Sequence, residues 1–531
     1  MLSVWDSTTS KQIRQPLEQN IAADAAVIGG GMCGILTAYR LKEEGLDTVV
    51  LEANETGSGQ THLTTAKITA QHGLCYDALI RSAGYAKAKQ YADANRIAVR
   101  QYANLVESLD IHCRFDKVNS YLYTCCRDPE QPGGGLDALQ REKAAALTLG
   151  IECSLLTAPN GSTLNPALLS ASGADRILQP LEITGALCFP GQAQFHPLAF
   201  LYFLAKKLRI YEHTPVTRVQ GHNVFTPRGK VSCKYVVFAC HYPFPLFPGE
   251  YFMKLHQERS YVLQLTNMSQ FSDDFAPKGI YYGIDEGGYS LRFMDYSLLF
   301  GGQGHRTGKL PQDISKGGYP DCYEHLRRDA HALWPGLTPC RMWSAQDCIS
   351  LDHIPYIGRY SSGEPDWYVA TGFGKWGMTS SMAAASILTD LICGRPSPYA
   401  EVFSPQRMLP GSAYPALGEH LKESSAGLWR GALCSLSRSP HFTLDPADRS
   451  WITDRLAPGE GGILHRKGHT IGAYMDENSE LHLVFPKCPH MGCLLSWNPS
   501  DHTWDCPCHG SRFNADGVLL DGPAQTDIPK L

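Results

Sequence analysis

Two short stretches near the end of the chain carry cysteine and histidine at spacings that could bind a metal. They are KCPHMGC, residues 487–493, and DCPCHGS, residues 505–511. Cys488 and His490 form a Cys-x-His pair, and Cys506 and His509 form a Cys-x-x-His pair. Two thiolates and two imidazoles could hold one zinc ion, since such sets are common structural zinc sites. In zinc fingers, however, both cysteines precede both histidines, whereas here each stretch supplies one of each.

This mixed arrangement resembles the Rieske [2Fe–2S] domain, in which two cysteines bind one iron and two histidines bind the other. Zinc stays open as the alternative. The resemblance implies one [2Fe–2S] cluster and a disulfide between Cys493 and Cys508 that links the two loops. It also implies that Ser511 raises the cluster potential. Phe513 stands where high-potential relatives have tyrosine, so we expect a potential below the top of the Rieske range.

The N-terminal region predicts a dinucleotide-binding βαβ unit. Residues 24–52 show a buried strand, a glycine turn, an amphipathic helix from Met32 to about Glu44, and a second strand. The glycines form G-x-G-x-x-G, which permits a tight turn, close approach of a pyrophosphate, and close packing of helix on strand. An acid at the end of the second strand can accept hydrogen bonds from ribose hydroxyls. The residues expected to contact the cofactor here are Gly29, Gly30, Gly31, Gly34, Glu52 and Ala53.

The polar, glycine- and threonine-rich segment 57–73 favours FAD over NAD. Together with segments 191–208, 234–244 and 367–392, it resembles the D-amino acid oxidase-like superfamily of FAD enzymes, which contains glycine and sarcosine oxidases. The resemblance covers roughly residues 22–408. It implies an α/β FAD-binding Rossmann-type domain with an antiparallel-sheet substrate domain, and further FAD contacts at Thr61, Thr64, Thr65, Lys67 and Val216.

A second G-x-G-x-x-G follows a strand near residue 372 and could indicate a nicotinamide site. Such a unit needs another strand ending in an acid after its helix, but the chain continues as GRPSPYAEVFSP. The resemblance instead implies that this helix points its N-terminus at the flavin, where its dipole stabilises negative charge. The residues expected to line the flavin here are Gly372, Phe373, Gly374, Lys375, Trp376, Gly377 and Met378.

Five side chains are candidates for catalysis: Lys67, His72, Arg292, Lys375 and Trp376. Arg292 lies in a strand-rich segment, 251–305, and could bind a substrate anion, or it could face solvent. His72 could lie near the flavin, or it could be a packing residue of its loop.

Two positions depart from the sarcosine oxidase pattern. Thr379 stands where those enzymes have a lysine that binds the substrate carboxylate, which puts simple amino-acid recognition in doubt. Gln346 stands where they have the cysteine that tethers FAD, and Cys348 misses that register. We therefore expect non-covalent FAD.

Composition indicates a soluble globular protein and excludes several other classes. The 531 residues are 43% hydrophobic and 19% charged, and the net charge of −5 gives no indication of a nucleic-acid-binding surface. Neither a signal peptide nor an apolar run long enough to span a membrane is recognisable, so we expect a cytoplasmic protein. Eighteen cysteines in such a chain favour thiols and metal ligands over a secreted disulfide framework.

The motifs divide the chain into an oxidoreductase, a linker and an all-β Rieske domain. The linker carries one expected helix near residues 417–434. The expected bounds are 1–408 for the oxidoreductase, with FAD-binding parts 22–80, 190–245 and 340–408 and substrate-domain parts 81–189 and 246–339, then 409–440 for the linker and 441–531 for the Rieske domain.

Together these features predict an FAD-dependent oxidoreductase that oxidises an amine-like or imino-acid-like small molecule. Electrons would pass from the flavin through the cluster to an external acceptor, or enter from a donor protein if the flavin activates oxygen. One alternative is a flavin oxidase that uses oxygen directly. Another is a non-catalytic electron-transfer or redox-sensing protein, although a relay needs no substrate domain of about 150 residues.

Overall fold

This computed structural model describes residues 3–128, 135–158, 162–169, 175–267, 278–309, 321–436 and 444–531. The expected boundary between linker and Rieske domain, at residues 440 and 441, lies outside the described residues. Within the described ranges, none of the helices combines the length and apolar character needed to cross a bilayer.

The described residues form 24 strands and 11 α-helices. The strands are β1 Ile21–Ile28, β2 Thr48–Leu51, β3 Lys67–Ile68, β4 Asp116–Thr124, β5 Ser154–Thr157, β6 Gly185–Gln194, β7 Arg209–Tyr211, β8 Arg218–Gln220, β9 Asn223–Thr226, β10 Gly229–Phe238, β11 Leu255–Thr266, β12 Ile280–Gly283, β13 Ser290–Met294, β14 Ser297–Arg306, β15 Thr338–Ser350, β16 Tyr356–Ser361, β17 Glu364–Thr371, β18 Gly461–Arg466, β19 His469–Met475, β20 Leu481–Val484, β21 Ser496–Asn498, β22 Thr503–Asp505, β23 Arg512–Asn514 and β24 Leu519–Asp521. The helices are α1 Met32–Glu43, α2 Gln60–Leu63, α3 Tyr76–Ser108, α4 Gly135–Thr148, α5 Asp175–Leu178, α6 Pro197–Ala205, α7 Cys322–Leu333, α8 Gly377–Ile392, α9 Ala400–Phe403, α10 Tyr414–Leu436 and α11 Pro446–Thr453.

The first sheet has the strand order β16-β17-β10-β1-β2-β7, with the β8-β9 hairpin attached to β10. Its central strands run parallel, and the segments AAVI of β1 and TVVL of β2 are buried throughout. Continuous burial is expected of a parallel sheet covered on both faces. Helices α1 and α8 pack against each other beside this sheet. The two glycine motifs precede these helices, so both motifs lie at the carboxyl edge of the sheet.

The second sheet has the order β15-β11-β14-β13-β12-β4-β6-β3, with β5 paired to β6. It is largely antiparallel, and the strand-rich segment 251–305 forms β11 to β14. β3 and β15 also belong to this sheet. β3 lies within the expected FAD-binding part 22–80, and β15 begins at Thr338, two residues before the expected part 340–408. β15 belongs to this sheet because it pairs with β11 along nearly its whole length.

The C-terminal region forms two small antiparallel sheets, β18-β19-β20 and β21-β22-β23-β24. A turn at Lys467 and Gly468 joins β18 to β19, with Gly468 at φ +78°. The expected linker helix is α10, and it packs on the two Cys/His loops. A Cβ on Gly427 would collide with Cys508 Sγ, and one on Gly431 would collide with the Gly492 carbonyl. Helix α10 is therefore packed into the C-terminal region.

Candidate functional site

The two Cys/His loops fold into the same turn. In each loop a glycine four residues after the cysteine donates its N–H to that cysteine's carbonyl, Gly492 to Cys488 and Gly510 to Cys506, both at 2.9 Å. These glycines have φ values of +85° and +81°, a region that L-residues with side chains rarely adopt. The spacing Cys-x-x-x-Gly thus specifies both loops, and hairpin β21-β22 holds them side by side.

The loops bring the four candidate ligands together. The His490 and His509 rings lie 4.9 Å apart at 84°. The Cys488 and Cys506 thiols are hydrogen-bonded to each other, and this hydrogen bond raises the pKa of Cys488 and lowers the pKa of Cys506. Within the described residues, His509 Nδ1 and Nε2 and His490 Nδ1 are buried without a hydrogen-bond partner. Buried polar atoms normally have partners, so these nitrogens fit metal ligands.

Beside these ligands, Cys493 and Cys508 form a disulfide. Ser511 and Phe513 are fully buried next to them. Ser511 Oγ accepts a 2.9 Å hydrogen bond from the Ala524 N–H, so the hydroxyl proton is left to donate toward the Cys488 thiol.

The first glycine loop follows the end of β1, where the cofactor cradle is expected. Gly29 has φ +110°, and a Cβ there would lie 2.5 Å from the Ala239 carbonyl oxygen. Glu52 follows β2, and its carboxylate accepts N–H groups from Gly30 at 2.6 Å and Asn54 at 2.9 Å. Burial raises the pKa of Glu52, although these N–H groups act against that rise. The acid therefore stands against the glycine loop, where a ribose would need it.

The segment after β2 closes over the glycine loop. Thr61 Oγ1 accepts the Met32 N–H at 2.9 Å, and so ties α2 to the start of α1. Thr64 Oγ1 accepts the Ala66 N–H at 2.9 Å. Val216 is buried just before β8, whereas Ala53 is exposed.

The second glycine motif connects β17 to α8 and lies at the same carboxyl edge of the first sheet. Phe373 forms a β-bridge with Ile349, and Gly374 donates its N–H to the Cys348 carbonyl at 2.8 Å. Trp376 stacks on His72 with ring centroids 5.0 Å apart and 15° between planes. Thr379 Oγ1 donates to the Thr69 carbonyl at 2.8 Å, so the residue that departs from the sarcosine oxidase pattern locks α8 onto segment 57–73.

His72 is buried and its ring nitrogens contact Tyr91 Oη at 2.6 Å and the Thr69 carbonyl at 2.8 Å. Burial lowers its pKa to about 3, so it is neutral at physiological pH. Both ring nitrogens of His72 are therefore occupied by hydrogen bonds, and the face of its ring stacks on Trp376.

Arg292 and Lys67 lie together in the interior. Arg292 is 2% exposed, and its guanidinium donates to the carbonyls of Thr65 and Phe195, the latter at 2.8 Å. It is thus not on a solvent-facing side of β13. Lys67 bonds to Ser290, and burial together with the charge of Arg292 lowers its pKa to about 7. Their roles in catalysis stay predictions.

Two family models match this chain. The model "FAD dependent oxidoreductase" (DAO) matches residues 24–391, and the model "Rieske [2Fe-2S] domain" matches residues 453–531. The chain belongs to the DAO family of FAD-dependent oxidoreductases. It carries a Rieske domain at its C-terminal end, which decides between the cluster and zinc in favour of the cluster.

Similar proteins agree with this assignment. YhfW of Bacillus subtilis (strain 168), described as a Rieske 2Fe-2S iron-sulfur protein, is 33% identical over 98% of this chain and 95% of its own length. The gamma-glutamylputrescine oxidoreductase of Escherichia coli (strain K12) is 24% identical over 75% of this chain and 89% of its own. The crystal structure of glycine oxidase from Geobacillus kaustophilus superposes with a TM-score of 0.57, at 18% identity, over 73% of this chain and 100% of that one, and so shares the fold.

This DAO-family oxidoreductase therefore uses FAD and one [2Fe–2S] cluster, and its residues fit both groups. The orphaned histidine nitrogens and paired thiols suit the cluster. The left-handed Gly29 and the carboxylate of Glu52 suit a dinucleotide. When bound, FAD supplies two-electron chemistry and the cluster supplies one-electron transfer.

The residues that join the two cofactor regions are not among those predicted from the sequence. Gln257 Nε2 on β11 donates to the His509 carbonyl at 2.7 Å, and Gln346 Nε2 on β15 donates to the Gly510 carbonyl at 2.8 Å. Arg259 Nη2 lies 2.7 Å from Asp501 Oδ2, and both side chains are almost completely buried. One signal was available: LHQERSY in β11 is polar at consecutive positions, so both faces of the strand had to meet polar groups.

The strands β11 and β15 form a wall between the two regions. Glu258 is paired with Asp347 across this wall, and Arg259 is paired with Gln346. Because side chains alternate between faces, Gln346 and Arg259 point to the Rieske domain, whereas Glu258 points to the opposite side. There Glu258 Oε2 lies 3.7 Å from Lys375 Nζ, in the second glycine loop.

Burial and neighbouring charges shift the pKa values of Glu258, Asp347 and Lys375 on this opposite side. Contact with His256 is the main reason that the pKa of Glu258 falls to about 2, whereas burial raises the pKa of Asp347 to about 7. Burial by itself would lower the pKa of Lys375, but the negative charges around it outweigh burial and raise it. Lys375 therefore stays protonated beside an ionised Glu258.

Proposed function

We propose that this protein oxidises an amine-like, amino-acid-like or imino-acid-like small molecule at the flavin and sends the electrons through the Rieske cluster to an external one-electron carrier. Support for the substrate class comes from the similar proteins, whose names include a gamma-glutamylputrescine oxidoreductase and a glycine oxidase. The cytoplasmic location and the absence of a nucleic-acid or membrane partner stay predictions.

The observation that carries the electron route is the place of His509. This ligand is 1% exposed and faces the oxidoreductase domain, with ring centroids of Phe252 at 6.2 Å and Tyr242 at 6.5 Å. Tyr242 lies three residues after Ala239, whose carbonyl packs on the Gly29 loop. One cluster ligand thus lies against the strand end that forms the dinucleotide cradle, which a regulatory or purely structural domain would not require.

We assign the candidate side chains as follows. Trp376 and Tyr282, with ring centroids 5.4 Å apart, would form an apolar wall for the substrate. Lys375 and Glu258 would offer both signs of charge for binding it. His72 would hold Trp376 in place, and Lys67, whose pKa of about 7 lets it lose a proton near neutrality, would accept a proton. Arg292 would keep the Lys67 pKa low.

The substrate is tested by mixing the oxidised protein anaerobically with amines, N-methyl amines, amino acids and cyclic imino acids while following flavin absorbance. We expect at least one of these classes to bleach the flavin. Failure of all four classes to bleach the flavin would contradict the proposed substrate. Oxidation that proceeds in air at full rate without any cluster turnover would favour the flavin oxidase.

The electron route is tested with His509→Ala, which removes one iron ligand, and with Cys506→Ser, which removes one ligand from the other iron. Both variants should lose the cluster yet bleach at a near-parental rate with the same substrate. Reoxidation by ferricyanide, a one-electron acceptor, should slow sharply. If cluster-free protein reoxidises as fast as the parent, the cluster is not the exit.

A further inference from the structure

Two glutamine side chains connect the dinucleotide cradle to the iron-ligand loop. Gln257 and Gln346 bond to each other through Gln346 Nε2 and Gln257 Oε1 at 2.6 Å. Gln257 Oε1 also contacts His241 Nε2 at 3.0 Å, and His241 follows Ala239 and Cys240, whose backbone packs on Gly29. The Gln346 N–H donates to Gln60 Oε1 at 2.7 Å, at the start of the helix that carries Thr61.

Every polar atom of this amide pair is used. Gln257 Nε2 donates to the His509 carbonyl and, at 3.1 Å, to the Gly522 carbonyl. Gln346 Nε2 donates to Gln257 and to the Gly510 carbonyl, while its Oε1 accepts from Arg259 Nη1 and Thr307 Oγ1, both at 3.2 Å. Because carbonyl oxygens only accept, neither amide can flip without placing oxygen against oxygen.

We propose a fixed relay, which rests on the proposed function. Gln257 and Gln346 are positioning residues that hold the His509 loop against the flavin-binding strands. Electrons would therefore cross to the cluster without movement of the Rieske domain. When both groups are bound, FAD would supply the two electrons taken from one substrate molecule, and the cluster would accept them one at a time. Two successive transfers would therefore be needed for each substrate, with each electron passed on to the external one-electron carrier and the flavin protons released to water.

Buried contacts around the amide pair oppose domain movement. Tyr323 Oη donates to Asp501 at 3.1 Å, and Asn498 Nδ2 donates to Tyr261 Oη at 3.1 Å. Gly510 has no room for a side chain, because a Cβ there would lie 2.6 Å from Gln257 Cβ. Movement of the domain would expose all of these groups at once.

The test uses the intact protein and needs no substrate. The flavin is reduced by a light flash with deazaflavin and EDTA in anaerobic, fully oxidised protein, and flavin and cluster absorbance are followed with time in buffers of increasing glycerol content. In the parent we expect cluster reduction to follow at a rate that does not depend on viscosity. In Gln257→Glu and Gln346→Glu, a carboxylate oxygen faces two carbonyls, so transfer should slow by about 10-fold to 100-fold and become dependent on viscosity.

The matched control is Gln264→Glu. Gln264 lies on the same strand, is 8% exposed, and donates to Ser297 Oγ at 3.2 Å within the substrate domain. It should transfer at the parental rate. Iron and flavin content are measured for each variant, and rates are compared for loaded protein.

The outcomes separate this inference from the function on which it rests. No flavin-to-cluster transfer in the parent would overturn both. Transfer in the parent that slows with viscosity would overturn the fixed relay alone, and that result stands even if a glutamate variant fails to load its cluster. Loaded glutamate variants with the parental, viscosity-independent rate would overturn the role of the amide pair.

Discussion

Arg259→Met should loosen the contact between the Rieske domain and the oxidoreductase. The Arg259 and Asp501 side chains are 1% and 2% exposed, and their nitrogen and oxygen lie 2.7 Å apart. Removing one partner of a buried pair costs about 3–5 kcal/mol, because the remaining charge is left uncompensated. Arg512 stays 3.0 Å from Asp501, so we expect the lower end, about 3 kcal/mol. Arg512 already contacts the carboxylates of Asp501, Asp505 and Asp521, and without Arg259 it would be left as the single guanidinium beside these three acids.

Hydrogen exchange at Cys322 reads this change directly. Its N–H donates to Ser500 Oγ at 2.8 Å across the interface. A loss of about 3 kcal/mol in the free energy of opening corresponds to roughly 100-fold faster exchange. The control is Arg407→Met, which breaks a comparably buried 2.7 Å pair with Asp352 inside the oxidoreductase and should leave exchange at Cys322 unchanged.

The same interface gives a pH dependence of known sign. Burial alone would raise the pKa of Asp501, but the guanidinium groups of Arg259 and Arg512 outweigh burial and hold it below its ordinary value. The contribution of Asp501 to docking is thus present above the ordinary pKa of about 3.9 and is lost as pH falls through the depressed pKa. If Cys322 exchanges at the parental rate in Arg259→Met while flavin and cluster contents are normal, the Arg259–Asp501 pair does not hold the two domains together.

Three further changes test the cofactor sites. Glu52→Lys places a cation against the Gly30 N–H and removes the ribose acceptor, so the purified protein should be depleted of flavin by absorbance; full flavin content would contradict the cradle. Acid precipitation should release all flavin into the supernatant, because Gln346 stands at the tethering position; a yellow pellet would reveal a covalent bond. Phe513→Tyr should raise the cluster midpoint potential in a redox titration, because a hydroxyl beside the buried thiolates withdraws charge, whereas no shift or a downward shift would mean that residue 513 does not approach a cluster sulfur.

The fold class and the two cofactors could be predicted because short motifs determine them. Gly29 needs a positive φ and has no room for a side chain, and a strand and a helix follow in register with it. Helix α1 ends at Glu43, one residue from the expected position. In the Rieske loops, the Cys-x-x-x-Gly spacing forms each turn from five consecutive residues, so no distant contact is needed.

The interface and the exact sheet membership could not be predicted because distant residues determine them. Gln257 and Gly510 meet only after two domains have folded and docked. Arg292 shows the same limit. Alternation in β13 places it on one face but does not say what covers that face, and its carbonyl partners Thr65 and Phe195 lie far away in sequence.

The most direct test of the account is the order in which the two cofactors are reduced in the parent protein. Anaerobic stopped-flow with a bleaching substrate, combined with freeze-quenched electron paramagnetic resonance, follows flavin absorbance and the paramagnetic signal of the reduced cluster on one time axis. We predict that the flavin bleaches first and that the cluster signal then appears without added mediator. A cluster that stays oxidised beside a fully reduced flavin, or one that is reduced before the flavin, would contradict it.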